Sequence, residues 1–475
     1  MSRIFISAAH KSSGKTSLSI GIAAALRDAG KQVQTFKKGP DYIDPMWLAM
    51  ASARPCYNLD FYTMSADEIT HQFISQSHSS QISLVEGNKG LYDGLDLDGS
   101  NSNAALAKLL NTPVVLVLDT RGMTRGIAPL VQGYQAFDPD IVINGVIFNQ
   151  VGGSRHESKL RAIIEHYTDV QVIGAVHHDP ALAINERHLG LVPSNESGQA
   201  REIVNRLAQT VTQQVDMDKL VTVISADSPL SDPVAVTSSD VPNLKVPASD
   251  NINIGIFKDS AFGFYYQDDI EAFANAGATL VPINSLQDTA LPEIDGLFIG
   301  GGFPETHMQA LSENTDLLTA VHLAITQGLP SYAECGGLMY LSRSLEWNDK
   351  IYKMAGVIPG ETKMHLKPQG RGYVRLVANS NHPWKLSSSL ESDQNNQQAS
   401  ESAELISAHE FHYSSLENID PTIKYAYQVK RGTGIIDKQD GLIIHNLLAN
   451  YSHFRNTQRN QWVLRFVEFI RNYSN

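Results

Sequence analysis

Ala9-His10-Lys11-Ser12-Ser13-Gly14-Lys15-Thr16 ends an apolar run, Ile4 to Ala8, and passes at once into a helix-forming stretch, Thr16 to Ala29, that stops at Gly30. Strand, glycine-containing turn and helix in that order are the context a phosphate-binding loop requires, because backbone N–H groups and a helix N-terminus then face one anion. Ser13, Gly14, Lys15, Thr16 and Ser17 are the expected nucleotide contacts, Lys15 offering a cation and Thr16 a hydroxyl for magnesium. Ala9 stands where the usual pattern has its first glycine, but the Gly14-Lys15-Thr16 end is intact. His10 and Lys11 read as solvated side chains.

Outward from this loop, short Ile/Val/Leu-rich runs alternate with helix-like stretches as far as about Val192, the pattern of a parallel sheet with crossover helices. The clearest strands are Ile4 to Ala8, Val33 to Phe36, Ile82 to Glu86, Val114 to Asp119 and Val142 to Phe148, and Asn103 to Leu110 reads as a further helix. The second strand runs into Lys37-Lys38-Gly39-Pro40-Asp41-Tyr42-Ile43-Asp44-Pro45, and a later one delivers Glu86 ahead of Gly90-Leu91-Tyr92-Asp93-Gly94. Carboxylates at several strand ends, on the sheet edge that carries the phosphate loop, are what Mg·ATP needs. Thr16, Asp44 and Glu86 are therefore the expected metal ligands, with ATP and Mg²⁺ as cofactors.

From about Val221 to Asn251 the composition turns to Ser, Asp, Pro and Val without a helical period, as in a linker. The α/β pattern then restarts with strand Ile252 to Phe257, helix Tyr266 to Ala276, strands Thr279 to Ile283 and Gly296 to Ile299, and helix Asp316 to Gln327. The chain thus divides into 1–220, a linker 221–250, and 251–475, both ends being α/β. Ser387 to Ser402, rich in Ser, Gln and Asn, reads as a surface loop. The length of 475 residues suits two or three cores, and a net charge of −13 opposes nucleic acid and anionic lipid as partners. Two cysteines make neither a disulfide framework nor a metal cluster, and no apolar run is long enough for a bilayer, so a cytoplasmic, membrane-free protein is expected.

One of those cysteines carries chemistry. Ser331-Tyr332-Ala333-Glu334-Cys335-Gly336-Gly337-Leu338-Met339 reads as a strand, a tight turn and a helix start, which exposes a sulfur at a sheet edge and favours its thiolate. Gly300-Gly301-Gly302-Phe303-Pro304-Glu305 follows another strand and can turn bare N–H groups toward an oxyanion, with Gly302 and Gly336 as the donors. The base comes from His409, His412 or His453, and His453, just after the apolar run Gly441 to Leu448, is the preferred one. His409 and His412 lie on a strand-like segment, facing substrate or simply hydrogen-bonded.

The motifs Gly39 to Pro45, Arg54-Pro55 with Asn58-Leu59-Asp60, Gly90 to Gly94, Ala261-Phe262 with Phe264-Tyr265-Tyr266, Gly300 to Glu305, Tyr332 to Tyr340 and His409 to Ser414 follow one another in both halves. Over nearly its full length the chain resembles the cobyrinic acid a,c-diamide synthases. That resemblance implies a dethiobiotin-synthetase-like P-loop ATPase domain followed by a class I, triad-type glutamine amidotransferase domain that lacks the usual His-x-Glu acid; Arg455 stands at that position. It implies a carbon–nitrogen ligase that takes ammonia from L-glutamine at Cys335 and amidates the a and c carboxylates of a tetrapyrrole through an acyl phosphate. Asp41, Tyr42, Ile43 and Asp93 are then the acceptor-binding candidates, and a homodimer is the candidate assembly. Trp47, Asn88 and Lys89 depart from the family's usual residues near the acceptor, which keeps a sirohaem- or sirohydrochlorin-amidating branch as the alternative. A partitioning-type regulatory ATPase with an inert cysteine domain is the alternative of a different class.

Overall fold

The computed structural model describes residues 2–182, 184–187, 190–224, 252–384 and 405–474. The chain forms two compact units, Met1–Asn243 and Leu244–Asn475. The first is built on strands β1 (Ser2–Ala8), β2 (Val33–Lys38), β3 (Cys56–Leu59), β4 (Ile82–Glu86), β5 (Val114–Asp119), β6 (Ile143–Val151) and β7 (Gln171–His177). They pair in the order β3-β2-β4-β1-β5-β6-β7, every pair parallel. β1 to β5 are buried along almost their whole length, which is why they read as continuous apolar runs rather than alternating ones. Phe36, Val85, Leu116 and Phe148 from four of the strands belong to one core cluster.

In a parallel sheet the loops after the strands share one edge, and this order sets the ends of β1, β4 and β2 side by side. Helix α1 (Lys15–Asp28) leaves the first of them, and helix α2 (Ile43–Ser52) follows the third. Helix α1 lies within one residue of its expected bounds. β6 starts one residue late and runs three longer, because Val142 is 60% exposed and contributes nothing to the core.

The second unit has a sheet ordered Ala278–Ile283, Ile252–Phe257, Gly296–Ile299, Ser331–Glu334, Leu447–Asn450, Gln439–Ile444, Lys424–Arg431, Gly370–Ala378 and Leu405–His412. The first five strands are parallel and the rest antiparallel. Two clusters are its core: Leu297, Ile299, Ala333 and Leu442 belong to one, and Ile254, Phe298, Tyr332 and Leu448 to the other. Neighbouring residues of one strand fall in different clusters, as the period of two requires for a sheet covered on both faces.

The unit boundary falls inside 221–250, but the reading of that stretch as wholly non-helical is corrected at its start. Helix Met217–Ile224 extends into it. Asp216 accepts from Lys219 N at 2.9 Å as a cap, and Leu220 and Val223, three apart, bury their side chains. Eight residues are too few to show a period against the Ser/Asp/Pro background that follows. Residues 225–251 and the Ser387 to Ser402 segment lie outside the described residues.

Candidate active sites

The phosphate loop is held from below by its neighbours. Gly14 has φ +79°, and a Cβ there would sit 2.1 Å from Asn149 Nδ2, which donates to Ser13 O at 2.9 Å. The glycine is required twice over, by conformation and by the approach of β6. Ser13 Oγ donates to His10 O at 2.8 Å, and Tyr134 hydrogen-bonds the backbone oxygen of Ala9, the residue replacing the first glycine, which also packs against the core cluster. Lys15 starts α1 and is buried, its ammonium weakened first by desolvation and then by Lys37, against support from Glu86 and Asp44. His10 and Lys11 are exposed, as expected of solvated side chains. Ser17 follows on the first turn of α1, partly buried.

Beside Lys15 the ends of β2 and β4 make a charged knot. Thr16 Oγ1 lies 2.6 Å from Glu86 Oε1 and 3.2 Å from Asp44 Oδ2, so the three expected metal ligands do converge. Lys37 Nζ, which sequence reasoning passed over, joins the same two oxygens at 2.6 Å from Asp44 and 2.9 Å from Glu86. Burial alone would weaken the Lys37 ammonium, but the two carboxylates outweigh it and hold its pKa well up. Burial likewise pushes Glu86 up, against the pull of Lys37, and Glu86 Oε2 has no hydrogen-bond partner. Among the described residues no three His, Cys, Asp or Glu side chains gather to hold a metal alone. Two carboxylates, one of them with an unpartnered buried oxygen, and a hydroxyl nevertheless suit Mg²⁺, which takes few protein ligands and completes its shell with phosphate and water.

The acceptor candidates divide. Asp41 Oδ1 accepts from Ile43 N and Asp44 N, both at 3.0 Å, and so caps α2, while burial and Asp44 push its pKa up to about 7. Tyr42 and Ile43 are buried at the same helix start, and Asp93 Oδ2 accepts from Gly90 N at 3.1 Å. Trp47 is fully buried, its Nε1 donating to Val192 O at 3.0 Å. Asn88 is half-buried and Lys89 exposed, just past Glu86.

In the second unit the strand Ser331–Glu334 and the helix Gly336–Leu341 meet at Cys335, whose φ of +45° and ψ of −98° are those of a strained turn. The strain is held by Cys335 N, donating to Asn450 O at 2.7 Å, and by Cys335 O, accepting from Met339 N at 3.1 Å. Only glycines fit around it. A Cβ on Gly337 would lie 2.2 Å from Ile299 O, and one on Gly336 would lie 2.9 Å from Gly302 N, so the two expected oxyanion donors share one corner.

His453 reaches this corner. Its pKa is lowered by burial but raised more by hydrogen bonds to Cys335 and Glu334, to about 10. His409 exchanges backbone hydrogen bonds with His453 and stacks on its ring at 5.0 Å and 17°, while burial keeps it neutral. His412 stacks on Tyr451 instead, with Nδ1 2.8 Å from Ser414 O. Arg455, fully buried, pairs with Asp268 at 2.9 Å and covers the ring of Tyr266.

Sequence reasoning missed three acids and an amide here and in the first unit. Glu334 lies 3.3 Å from His453 Nδ1, and Asp440 accepts from Tyr451 N and Ser452 N and Oγ at 3.1, 3.0 and 2.6 Å, fixing the turn before His453. Asp269 accepts from Asn456 N at 2.7 Å just beyond it, and Asn149 braces the phosphate loop. Glu334 stood next to the cysteine, a signal that was available; the others act across more than ten residues of sequence and carry no local pattern.

Comparison with known proteins matches residues 4–192 to the CobQ/CobB/MinD/ParA nucleotide binding domain and residues 253–461 to the CobB/CobQ-like glutamine amidotransferase domain. A cobyrinate a,c-diamide synthase of Magnetococcus marinus is 40% identical over 99% of this chain and 97% of its own. Namesakes from Methanosarcina barkeri and Archaeoglobus fulgidus are each 36% identical, over 99% and 98% of this chain and 96% and 97% of theirs. No described helix is long and apolar enough to cross a membrane.

Proposed function

Because the chain belongs to the cobyrinate a,c-diamide synthase family, we propose that it amidates the a and c carboxylates of cobyrinate, spending ATP to activate each carboxylate and glutamine to supply the nitrogen. It is a carbon–nitrogen ligase with a nucleotide-binding domain and a glutamine amidotransferase domain. The observation that supports the finer reading is that one chain brings together two chemically distinct groups: Thr16 with Asp44 and Glu86 beside Lys15, and Cys335 with His453.

At the second centre the Cys335 thiolate attacks the side-chain amide carbon of glutamine, and the oxyanion meets N–H groups at Gly302 and Gly336. His453 gives its proton to the departing ammonia, and water then hydrolyses the thioester to glutamate. At the first, Lys15 and the loop amides hold the ATP phosphates, because hydroxide is a poor leaving group and the carboxylate must first become an acyl phosphate. Ammonia attacks that carbonyl and phosphate leaves. Thr16, Asp44 and Glu86 would hold Mg²⁺, which when bound neutralises charge on the phosphates. Lys37 bridges the two carboxylates.

The alternative acceptor is a sirohaem-type tetrapyrrole, which rests on the departures at Trp47, Asn88 and Lys89 from the family's usual residues. Incubation of the protein with ATP, Mg²⁺ and glutamine, separately with cobyrinate and with sirohaem, tests the choice. Cobyrinate should gain the mass of two OH-to-NH₂ exchanges. Amidation of sirohaem with cobyrinate unchanged would overturn it.

A further inference from the structure

We propose that Glu334, the residue directly before the cysteine, is the positioning acid of the glutaminase centre, holding His453 with its proton on Nδ1 and its Nε2 directed at Cys335. This rests on Cys335 and His453 being nucleophile and base.

The position two residues after His453, where a histidine-linked acid would be expected, is Arg455, and its guanidinium is committed to Asp268 and Tyr266. The described carboxylate that pairs with the imidazole comes instead from the nucleophile's own strand: Glu334 Oε2 lies 3.3 Å from His453 Nδ1. Its other oxygen is fixed. Glu334 Oε1 accepts from Phe454 N at 2.9 Å and from Tyr332 Oη at 2.6 Å, and Asn450 Nδ2 in turn donates to Tyr332 Oη at 2.9 Å. Two donors on Oε1 leave Oε2 for the imidazole, and both donors sit on strands of the central sheet or beside His453 itself. Glu334 and His453 are each 3% exposed, so the pair acts without competing water.

Alternation along the strand explains how neighbours can serve one histidine. Glu334 is the last residue of the strand, and Cys335, at φ +45°, turns the chain so that its side chain does not continue to the opposite face. Carboxylate and sulfur then both hydrogen-bond the one imidazole. The remaining titratable neighbours do not substitute for Glu334: His409 stacks on the His453 ring and is kept neutral, His412 lies on Tyr451, and Arg455 carries the wrong charge. A carboxylate on Nδ1 fixes the tautomer and stabilises the imidazolium that forms when the thiol gives up its proton.

Glu334→Gln tests this in the full-length protein. The amide oxygen can still accept from Phe454 N and Tyr332, but the amide nitrogen then faces Nδ1 and favours the wrong tautomer. Glutaminase kcat should fall on the order of 10²- to 10⁴-fold with KM for glutamine little changed, while ammonium-supported synthesis persists. The pH midpoint for alkylation of Cys335 by iodoacetamide should move up by about one unit or more, which a merely structural loss would not produce. An unchanged alkylation midpoint with glutaminase within about twofold of wild type would overturn the proposal. If the variant does not fold, ¹⁵N-histidine NMR of the wild-type protein decides: a proton on His453 Nδ1 is expected, and an unprotonated Nδ1 overturns it. Full glutaminase activity in Cys335→Ala would instead sink the underlying assignment of the nucleophile.

Discussion

Lys37→Met removes the ammonium that holds two carboxylates together and leaves the side-chain volume nearly unchanged. Lys37 is 2% exposed, Glu86 is fully buried and Asp44 is 15% exposed, so Glu86 bears most of the loss. Breaking a buried pair by removing one partner typically costs about 3–5 kcal/mol, because the other charge is left uncompensated. Asp44 can turn to water, which places the expectation toward the lower end, about 3 kcal/mol. For a unit of this size that is a fall in melting temperature of roughly 6–12 °C, read in the transition of the nucleotide-binding unit by calorimetry in EDTA without nucleotide. Lys37→Met/Glu86→Gln should recover more than half of it, since the orphaned charge is then gone. A single variant melting within about 2 °C of wild type, or a double variant that adds the two losses, would refute the reasoning.

Lys15→Ala or Thr16→Ala should abolish ATP-dependent amidation while leaving glutaminase largely intact, measured as product mass and as glutamate release. The raised pKa of His453, about 10, gives the second unit a pH signature. A histidine whose folded pKa lies above its unfolded one adds stability that is complete below about pH 6.5 and lost as the pH rises through the folded value. The second unit should therefore lose stability between about pH 6.5 and 10, and His453→Gln should lose less over that range, by thermal melts across a pH series. Trp47→Phe should lower stability by about 1 kcal/mol, through the lost bond to Val192 O, and leave the ratio of cobyrinate to sirohaem turnover unchanged. Exchanging Asn88 or Lys89 for small apolar residues should change that ratio if either touches the acceptor; a constant ratio for both removes them from specificity.

The architecture was legible because its signals are local. Gly14-Lys15-Thr16 behind an apolar strand, and two glycines behind a cysteine, each fix a turn within a few residues, and β4 and β5 fall where continuous apolar runs put them. What escaped depends on strand order, which no local window encodes. Lys37 and Glu86 are 49 residues apart and meet only because β2 and β4 are neighbours. Glu334 stands beside the cysteine, but His453, its partner, is 119 residues away and is brought to it only by paired strands. A departure from a family pattern, such as Trp47, marks substrate contact and altered packing alike, and Trp47 is buried. The short helix Met217–Ile224 was hidden by the polar stretch it leads into.

The central claim, that ammonia is made at Cys335 and used at a separate nucleotide-binding centre, is tested most directly by giving Cys335→Ala each nitrogen source in turn and weighing the amide product. With glutamine the account predicts no synthesis, and with a high concentration of ammonium salt at mildly alkaline pH it predicts synthesis near the wild-type ammonium rate, because the acyl phosphate forms without the sulfur. Loss of the ammonium-supported reaction in a folded Cys335→Ala protein would contradict it and make Cys335 part of the synthetase centre.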